Sequence, residues 1–144
     1  MKILLGVDDS KASADVLRAV ITQFRTEHTE IRVLHMLQPI APAPPQMAPG
    51  YAPELEDQKT PARALVERLA KDLQSSGFKV DTAVEIGDVR EGIIDTAAEW
   101  GADLIVVGSH GRRGLQRFLL GSVAEFVARH ARCSVEIVRT STGM

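Results

Sequence analysis

Two kinds of hydrophobic pattern alternate along the whole chain, and this alternation limits the folds it can adopt. Some segments are short apolar runs or alternate apolar with polar residues, as strands do; between them, apolar residues recur every three or four positions, as in helices. The predicted strands cover residues 2–7, 30–37, 79–86, 103–107 and 135–139. Strict strand–helix alternation predicts an α/β fold with a parallel sheet and helices on both faces.

The order of the strands follows from how completely each one is apolar. Strands buried on both faces are continuous apolar runs, whereas edge strands alternate with polar residues. The first and fourth predicted strands are continuous, and the third and fifth alternate with charge. With right-handed crossovers, these patterns favour an open five-stranded sheet in the order 3-2-1-4-5. Strands one and four then flank a switch point, where open α/β sheets bind ligands beyond the carboxyl ends of the strands.

A single domain is expected to span residues 1–144, with one break in the regular pattern. Six of the seven prolines fall between residues 38 and 53, so the segment 38–59 is predicted to be a proline-rich loop. Thr60 and Pro61 suit the N-cap and the first position of the helix that follows. Asp9 and Ser10 suit the cap of the first helix.

Composition argues against several classes of partner. The net charge is −2 and the charges are spread along the chain, so we expect no nucleic-acid binding. No apolar run approaches the ~18 residues of a membrane span, and the apolar start is shorter than a signal-peptide core of ~7–15 residues. Cys133 is the single cysteine, so it has no intrachain disulfide partner, and this fits a reducing compartment. We therefore expect a cytoplasmic protein that does not enter a membrane.

The loop after the fourth predicted strand has spaced glycines that suit a phosphate. Gly108 and Gly111 are followed, after nine residues, by Gly121 and Ser122 at the start of a predicted helix. Glycines let a ligand approach the backbone, the amides of residues 108–111 can form an anion-holding concavity, and a helix N-terminus offers unpaired N–H groups. A structural interpretation is equally open, because Ser122 and Glu125 also form the S-x-x-E pattern of a capping box.

Two other phosphate motifs are absent from the sequence. A Walker loop needs Gly-Lys before Ser or Thr, and no lysine follows Lys79. The dinucleotide fingerprint belongs in the first strand–helix turn, where this chain has Gly6-Val7-Asp8, so a flavin or nicotinamide domain is disfavoured. In the glycine loop, Arg112 is a candidate for contact with a phosphate tail, although a solvent-exposed role is the alternative.

These residues carry a resemblance to a known family. The opening strand with Asp8-Asp9-Ser10, residues 33–36, the glycine motif and the closing strand resemble the ATP-binding class of the universal stress protein family over essentially the full length. The resemblance implies a Rossmann-like fold of the adenine-nucleotide alpha-hydrolase type. It also implies ATP as the ligand, with Mg²⁺ or Mn²⁺ held among the phosphate oxygens.

The resemblance implies a position for each part of the nucleotide. Around the adenine and ribose it places Gly6, Val7, Asp8, Met36 and Val107. Around the ribose and phosphates it places Gly108, Gly111, Gly121, Ser122 and Val123. Met36 departs from the family pattern, in which a smaller apolar residue is common.

Two functional classes remain. In the first, the protein binds ATP as a regulatory ligand in the stress response and presents a conformation to partners. In the second, it is a slow ATPase or phosphotransfer enzyme using the same site. Phosphoryl transfer usually needs a lysine, metal-holding acids and a base. Residues 8–10 and 108–121 contain no lysine and the glycine loop contains no acid, so the sequence favours the binding module, with no catalytic residues and no protein metal site.

The fifth predicted strand is expected to join two copies of the chain. It lies at a sheet edge, and its apolar residues Val135, Ile137 and Val138 make it a poor strand to leave in water. Two copies can pair antiparallel about a twofold axis. Universal stress proteins commonly dimerise in this way, so the resemblance implies the same homodimer.

Overall fold

The computed structural model describes residues 1–38, 53–110 and 120–140 of the chain, and it follows the predicted alternation of strands and helices. The strands are β1 (Lys2–Gly6), β2 (Glu30–Leu37), β3 (Lys79–Ile86), β4 (Leu104–Gly108) and β5 (Ser134–Val138). The helices are α1 (Ala12–Gln23), α2 (Pro53–Ser75), α3 (Val89–Trp100) and α4 (Ser122–His130).

The sheet has the predicted order β3-β2-β1-β4-β5, and its four pairings are parallel. β1 and β4 lie side by side in the centre, with Ile3 opposite Leu104 and Leu5 opposite Val106. The burial pattern explains this order, because the central strands are apolar on both faces and β3 and β5 are the edges. The open, Rossmann-like α/β architecture is therefore confirmed.

Each face of the sheet has its own apolar core. Leu5, Val33 and Val106 point to the face covered by α1 and α2. Leu4 and Ile105 point to the opposite face, which is covered by α3 and α4. All five side chains are fully buried, and each contributes about 1.5–3 kcal/mol relative to an exposed position. The two cores fix how the helices sit on the sheet.

The start of α2 corrects the sequence prediction. The helix begins at Pro53, so the loop predicted over residues 38–59 is too long, and Thr60 is not an N-cap. Proline fits the first turn of a helix, where its missing N–H needs no partner. Pro61 lies inside the helix, where a proline costs about 3 kcal/mol. The buried stripe that follows it, with Leu65 and Leu69, packs on the sheet and offsets that cost.

The start of α1 also differs from the prediction. Lys11 occupies the N-cap without a side-chain cap bond, so neither Asp9 nor Ser10 holds that position. Both the N–H and the hydroxyl of Ser10 donate to the Asp8 carboxylate. Ser10 therefore belongs to the turn after β1, and its hydroxyl serves that turn instead of the helix.

Asp88 caps the start of α3 with its side chain. Its carboxylate accepts the N–H groups of Arg90 at 3.0 Å and Glu91 at 3.1 Å. The bond from the Glu91 N–H lowers the pKa of Asp88, because it favours the charged form. The helix ends at Gly101, whose φ of 76° is the left-handed conformation that glycine adopts most easily.

Trp100, the last residue of α3, lies between two cations at the amino ends of the strands. The Lys2 ammonium is 5.3 Å from the ring centroid and donates to the Trp100 carbonyl at 3.2 Å. The Arg32 guanidinium is 4.7 Å from the ring centroid and is also paired with Asp81 on β3. Through Lys2 and Arg32, the end of α3 contacts β1 and β2. The Arg32–Asp81 ion pair links this cluster to β3.

Candidate functional site

A cleft opens at the switch point between the carboxyl ends of β1 and β4. The turn after β1, the start of α1, the end of β2, the first turns of α3 and the start of α4 surround it. Its lining residues are Gly6, Val7, Asp8, Ala12, Ser13, Val16, Leu34, Met36, Val89, Ile93, Val107, Gly108, His110 and Val123. Most of the wall is apolar, with a few polar groups, as in sites for small organic ligands.

The turn from β1 to α1 is held by a compact set of hydrogen bonds. Ser13 Oγ donates to the Asp8 carbonyl at 2.8 Å and accepts the Asp8 N–H at 3.2 Å. The Val7 N–H donates to the Leu34 carbonyl at 3.0 Å, and His35 Nδ1 lies 2.9 Å from the Val7 carbonyl oxygen. The backbone of residues 7 and 8 is therefore fixed at the mouth of the cleft.

The start of α4 resolves the ambiguity of the S-x-x-E pattern. Gly121 is the N-cap and Ser122 is the first helical residue, so the capping-box interpretation is wrong. Glu125 instead forms an ion pair with Arg129 one turn later, at 3.1 Å. In a helix that starts here, the N–H groups of residues 122–124 have no intrahelical acceptor. These groups make the end of α4 electropositive beside the cleft.

Ser109 connects the glycine loop to its neighbours in a way that the sequence did not predict. Its N–H donates to the Val138 carbonyl at 2.7 Å, and its carbonyl accepts the Gly121 N–H at 2.7 Å. The expected anion concavity through the amides of residues 108–111 is therefore interrupted, because the Ser109 amide serves β5. Of the two predicted anion-binding features at this end of the sheet, the start of α4 keeps N–H groups that have no intrahelical acceptor.

Two glycines of the site are needed for packing. A Cβ on Gly6 would lie 3.0 Å from Ile93 Cδ1 and 3.2 Å from Val107 Cγ1. A Cβ on Gly108 would lie 2.9 Å from Thr140 Cγ2. Gly6 therefore lets α3 approach the central strands closely, and Gly108 makes room for the chain after β5. The space at Gly108, which the glycine pattern predicts for the ligand, is thus also needed by Thr140.

The predicted site residues fall into three groups. Those brought together on the cleft wall are Gly6, Val7, Asp8, Met36, Val107, Gly108 and Val123. Gly121 and Ser122 form the adjoining start of α4. Gly111 and Arg112 lie outside the described residues.

Sequence reasoning missed other parts of the wall. Ser13, Val89 and Ile93 also line the cleft. Ser13 has no sequence signal, because its role depends on the fold of the turn. Val89 directly follows the Asp88 cap, so it could have been placed near the carboxyl end of the sheet.

A larger cavity, of about 520 Å³ against about 80 Å³ for the cleft, lies between α1 and α2. It is an open groove whose walls include Lys11, Arg18, Arg68 and Asp72, charges of both signs. None of the predicted site residues that the structure describes lines it. The switch-point cleft is smaller, but it joins apolar walls to a helix N-terminus, so it is the better candidate for a nucleotide.

Two features are absent from the residues that the structure describes. Within the described ranges, no group of three or more His, Cys, Asp or Glu side chains is arranged to hold a metal ion. None of the helices in those ranges is long and apolar enough to cross a membrane.

The fold and the site together define an α/β domain with a small-ligand cleft at its topological switch point. The family model for the universal stress protein family matches residues 1–139. A relative from Synechocystis, universal stress protein Sll1388, is 31% identical over 150 aligned residues, covering 96% of this chain and 97% of the relative. The chain therefore belongs to the universal stress protein family.

Solved structures agree with this fold. The structure of protein MJ0577, from Methanocaldococcus jannaschii, superposes with a TM-score of 0.82 at 27% identity, covering 99% of this chain and 97% of that one. A family protein from Arabidopsis thaliana, solved with AMP bound, superposes with a TM-score of 0.74 at 20% identity, covering 99% and 93%.

Proposed function

We propose that this protein binds an adenine nucleotide in the switch-point cleft, with ATP as the expected ligand. It acts as a nucleotide-dependent regulatory module of the stress response. The observation that carries the proposal is the start of α4, where the N–H groups of residues 122–124 have no intrahelical acceptor, beside a mostly apolar cleft. The apolar walls suit a flat base, and the helix end suits a phosphate. The AMP bound to the Arabidopsis relative supports the same ligand class.

Residues of the cleft divide between the parts of the nucleotide. Val107 and Met36 are the apolar wall for the base, and the fixed backbone at Val7 and Asp8 faces its edge. Ser122 offers its N–H and its exposed hydroxyl to a phosphate. Gly111 and Arg112 remain proposed phosphate contacts from the sequence.

A divalent cation fits this site only as a companion of the phosphates. Asp8 is the one carboxylate among the described lining residues, and its Oδ1 already accepts two bonds from Ser10. The described part of the cleft therefore supplies few ligands for Mg²⁺ or Mn²⁺, and we assign the cation to the phosphate oxygens.

The proposal includes a cytoplasmic homodimer joined through β5. β5 is an edge strand, and Val135, Ile137 and Val138 are half-buried. A second copy that paired with this edge would satisfy its outward N–H and C=O groups. The single cysteine supports a reducing compartment.

Calorimetry with ATP and AMP tests nucleotide binding directly. Ser122→Glu places a negative charge at the first residue of α4, where it favours the helix but repels a phosphate. We expect it to weaken AMP binding about tenfold or more without lowering the thermal midpoint. Ala128→Glu is the matched control, because it adds the same charge at an exposed position farther along α4.

Two outcomes would contradict the proposal at different levels. Wild-type protein that binds neither ATP nor AMP, and releases no nucleotide when the purified protein is denatured and chromatographed, would remove the function. Equal AMP affinity of the Ser122→Glu and Ala128→Glu variants would show that the phosphate does not bind at the start of α4.

A further inference from the structure

Met36 lies in a notch that a glycine of α3 provides. A Cβ added to Gly92 would lie 2.5 Å from Met36 Sδ, 3.2 Å from its Cγ and closer still to its Cε. Cβ atoms essentially never approach other heavy atoms below 3.0 Å. The thioether of Met36 therefore occupies space that any residue other than glycine at position 92 would fill.

The helix itself gives no reason for this glycine. Gly92 lies inside α3, and it is not among the described glycines with positive φ, which are Gly77, Gly87 and Gly101. Glycine inside a helix costs roughly 0.5–1 kcal/mol relative to alanine. What the glycine provides is the space that the Met36 side chain occupies.

Met36 is nearly buried and forms part of the cleft wall. The residue is 8% exposed and lies between the end of β2 and the first turns of α3. Ile93, the residue after Gly92, lines the same wall. Because the cleft is only about 80 Å³, a displaced thioether would take a large part of it.

We propose that Gly92 is a positioning residue that acts through Met36: it leaves room for the thioether in the cleft wall and thereby sets the depth of the base pocket. The inference rests on the proposed nucleotide function. Gly92 touches no ligand in this scheme, and its effect is transmitted by the position of Sδ and Cε. A purine base would then lie against the thioether, a contact that sulfur makes favourably with aromatic rings.

One substitution, Gly92→Ala, should weaken nucleotide binding without lowering the stability of the protein. Gly92→Ala should leave the free energy of unfolding unchanged or raise it, because alanine favours the helix and the end of the methionine side chain moves easily. The same variant should bind AMP about tenfold more weakly, because the thioether is pushed into the cleft. A purely structural glycine would instead lower stability and binding together.

A second substitution, Met36→Val, should restore part of the AMP binding that Gly92→Ala removes. Met36→Val removes the Sδ and Cε atoms, and we expect it to weaken AMP binding by less than about fivefold. The double variant Gly92→Ala with Met36→Val should bind AMP as Met36→Val does, and therefore more tightly than Gly92→Ala alone. Equal affinities of wild type and Gly92→Ala, or no recovery in the double variant, would overturn the inference. Wild-type protein that fails to bind AMP would instead overturn the proposed function.

A measurement on the wild-type protein tests the same contact without any change at Gly92. Methyl-labelled methionine gives separate NMR signals for the four methionines, and Met36 is assigned by its loss in Met36→Val. Saturating AMP should shift the Met36 methyl signal through the ring current of the base and leave exposed Met1 unchanged. A Met36 signal that does not move while calorimetry reports binding would overturn the inference.

Discussion

Ser109 Oγ accepts the backbone N–H of Thr140 at 3.0 Å and lies 3.2 Å from the Thr140 hydroxyl, and both residues are buried. Ser109 also bonds Val138 through its N–H and Gly121 through its carbonyl. One residue therefore joins the end of β5, the chain beyond it and the start of α4. The proposed phosphate site and the proposed dimer edge share this junction.

The junction should be sensitive to the Ser109 hydroxyl. Ser109→Ala leaves the buried Thr140 N–H without its acceptor, and we expect a loss of about 1–3 kcal/mol in the free energy of unfolding. Thr140→Val keeps that N–H bond and removes only the hydroxyl, so it should cost less. Urea denaturation of both variants and of the double variant measures the effect. A Ser109→Ala variant as stable as wild type would contradict this account.

The β5 edge allows a sharp test of the dimer. The Val138 carbonyl faces β4, because it accepts the Ser109 N–H. Neighbouring residues of a strand point their backbone groups to opposite sides, so the Ile137 N–H faces the open edge. Ile137→Pro should therefore remove an intermolecular donor while it spares the β4 ladder, and should yield monomers in analytical ultracentrifugation.

Ile137→Ala is the matched control for the β5 test, because it shortens the side chain and keeps the N–H. It should stay dimeric. Wild-type protein that sediments as a monomer at micromolar concentration, or a dimeric Ile137→Pro variant, would contradict pairing through β5.

Asp88 should make the stability of α3 depend on pH. Its folded pKa is lowered by the Glu91 N–H, so its contribution is complete above the unfolded value of about 4 and is lost as pH falls through the lowered value. Asp88→Ala should cost about 1 kcal/mol at neutral pH, and the difference from wild type should shrink below about pH 4. Urea denaturation across this range measures it.

Asparagine at the same position separates the cap from its charge. Asp88→Asn keeps a good N-cap that does not titrate, so its cost should be smaller and its stability should lack this pH dependence. A difference between wild type and Asp88→Ala that is constant down to low pH would show that the carboxylate does not act as a charged cap.

Turnover of ATP should be slow or absent. No lysine lines the described part of the cleft, and Asp8 is its single described carboxylate. We expect a rate far below the ~1–10³ s⁻¹ of ordinary enzymes, measured in a single-turnover assay with labelled ATP and Mg²⁺. Hydrolysis within seconds would favour the slow-ATPase alternative over the binding module.

The sequence predicted the sheet well, because burial dictates the composition of each strand. β1 and β4 had to be central, since both are apolar on two faces, and the switch point followed from that order. The limits of α2 were wrong for a different reason. Pro53 and Pro61 are both acceptable helix-start signals, and the local sequence does not decide between them.

The contacts inside the site were less accessible to sequence reasoning. Gly121 and Ser122 are both acceptable N-caps by residue type, so the sequence alone does not decide which of these neighbouring positions caps α4. Ser109 and Thr140 are 31 positions apart, and Gly92 and Met36 lie on different elements. Such pairs follow from the three-dimensional fold, because neither partner has an unusual local pattern.

The position of Trp100 lets intrinsic tryptophan fluorescence report movement of α3. It is the single tryptophan of the chain, and its indole lies between Lys2 and Arg32 at the amino ends of the strands. α3 runs from the cleft wall at Val89 to this ring, a distance of about 18 Å for a helix of 12 residues. A ligand that tilts or slides α3 must change the distances from the indole to the two cations. Tryptophan emission therefore reports helix movement far from the nucleotide, and it stays constant when the nucleotide enters a rigid cleft.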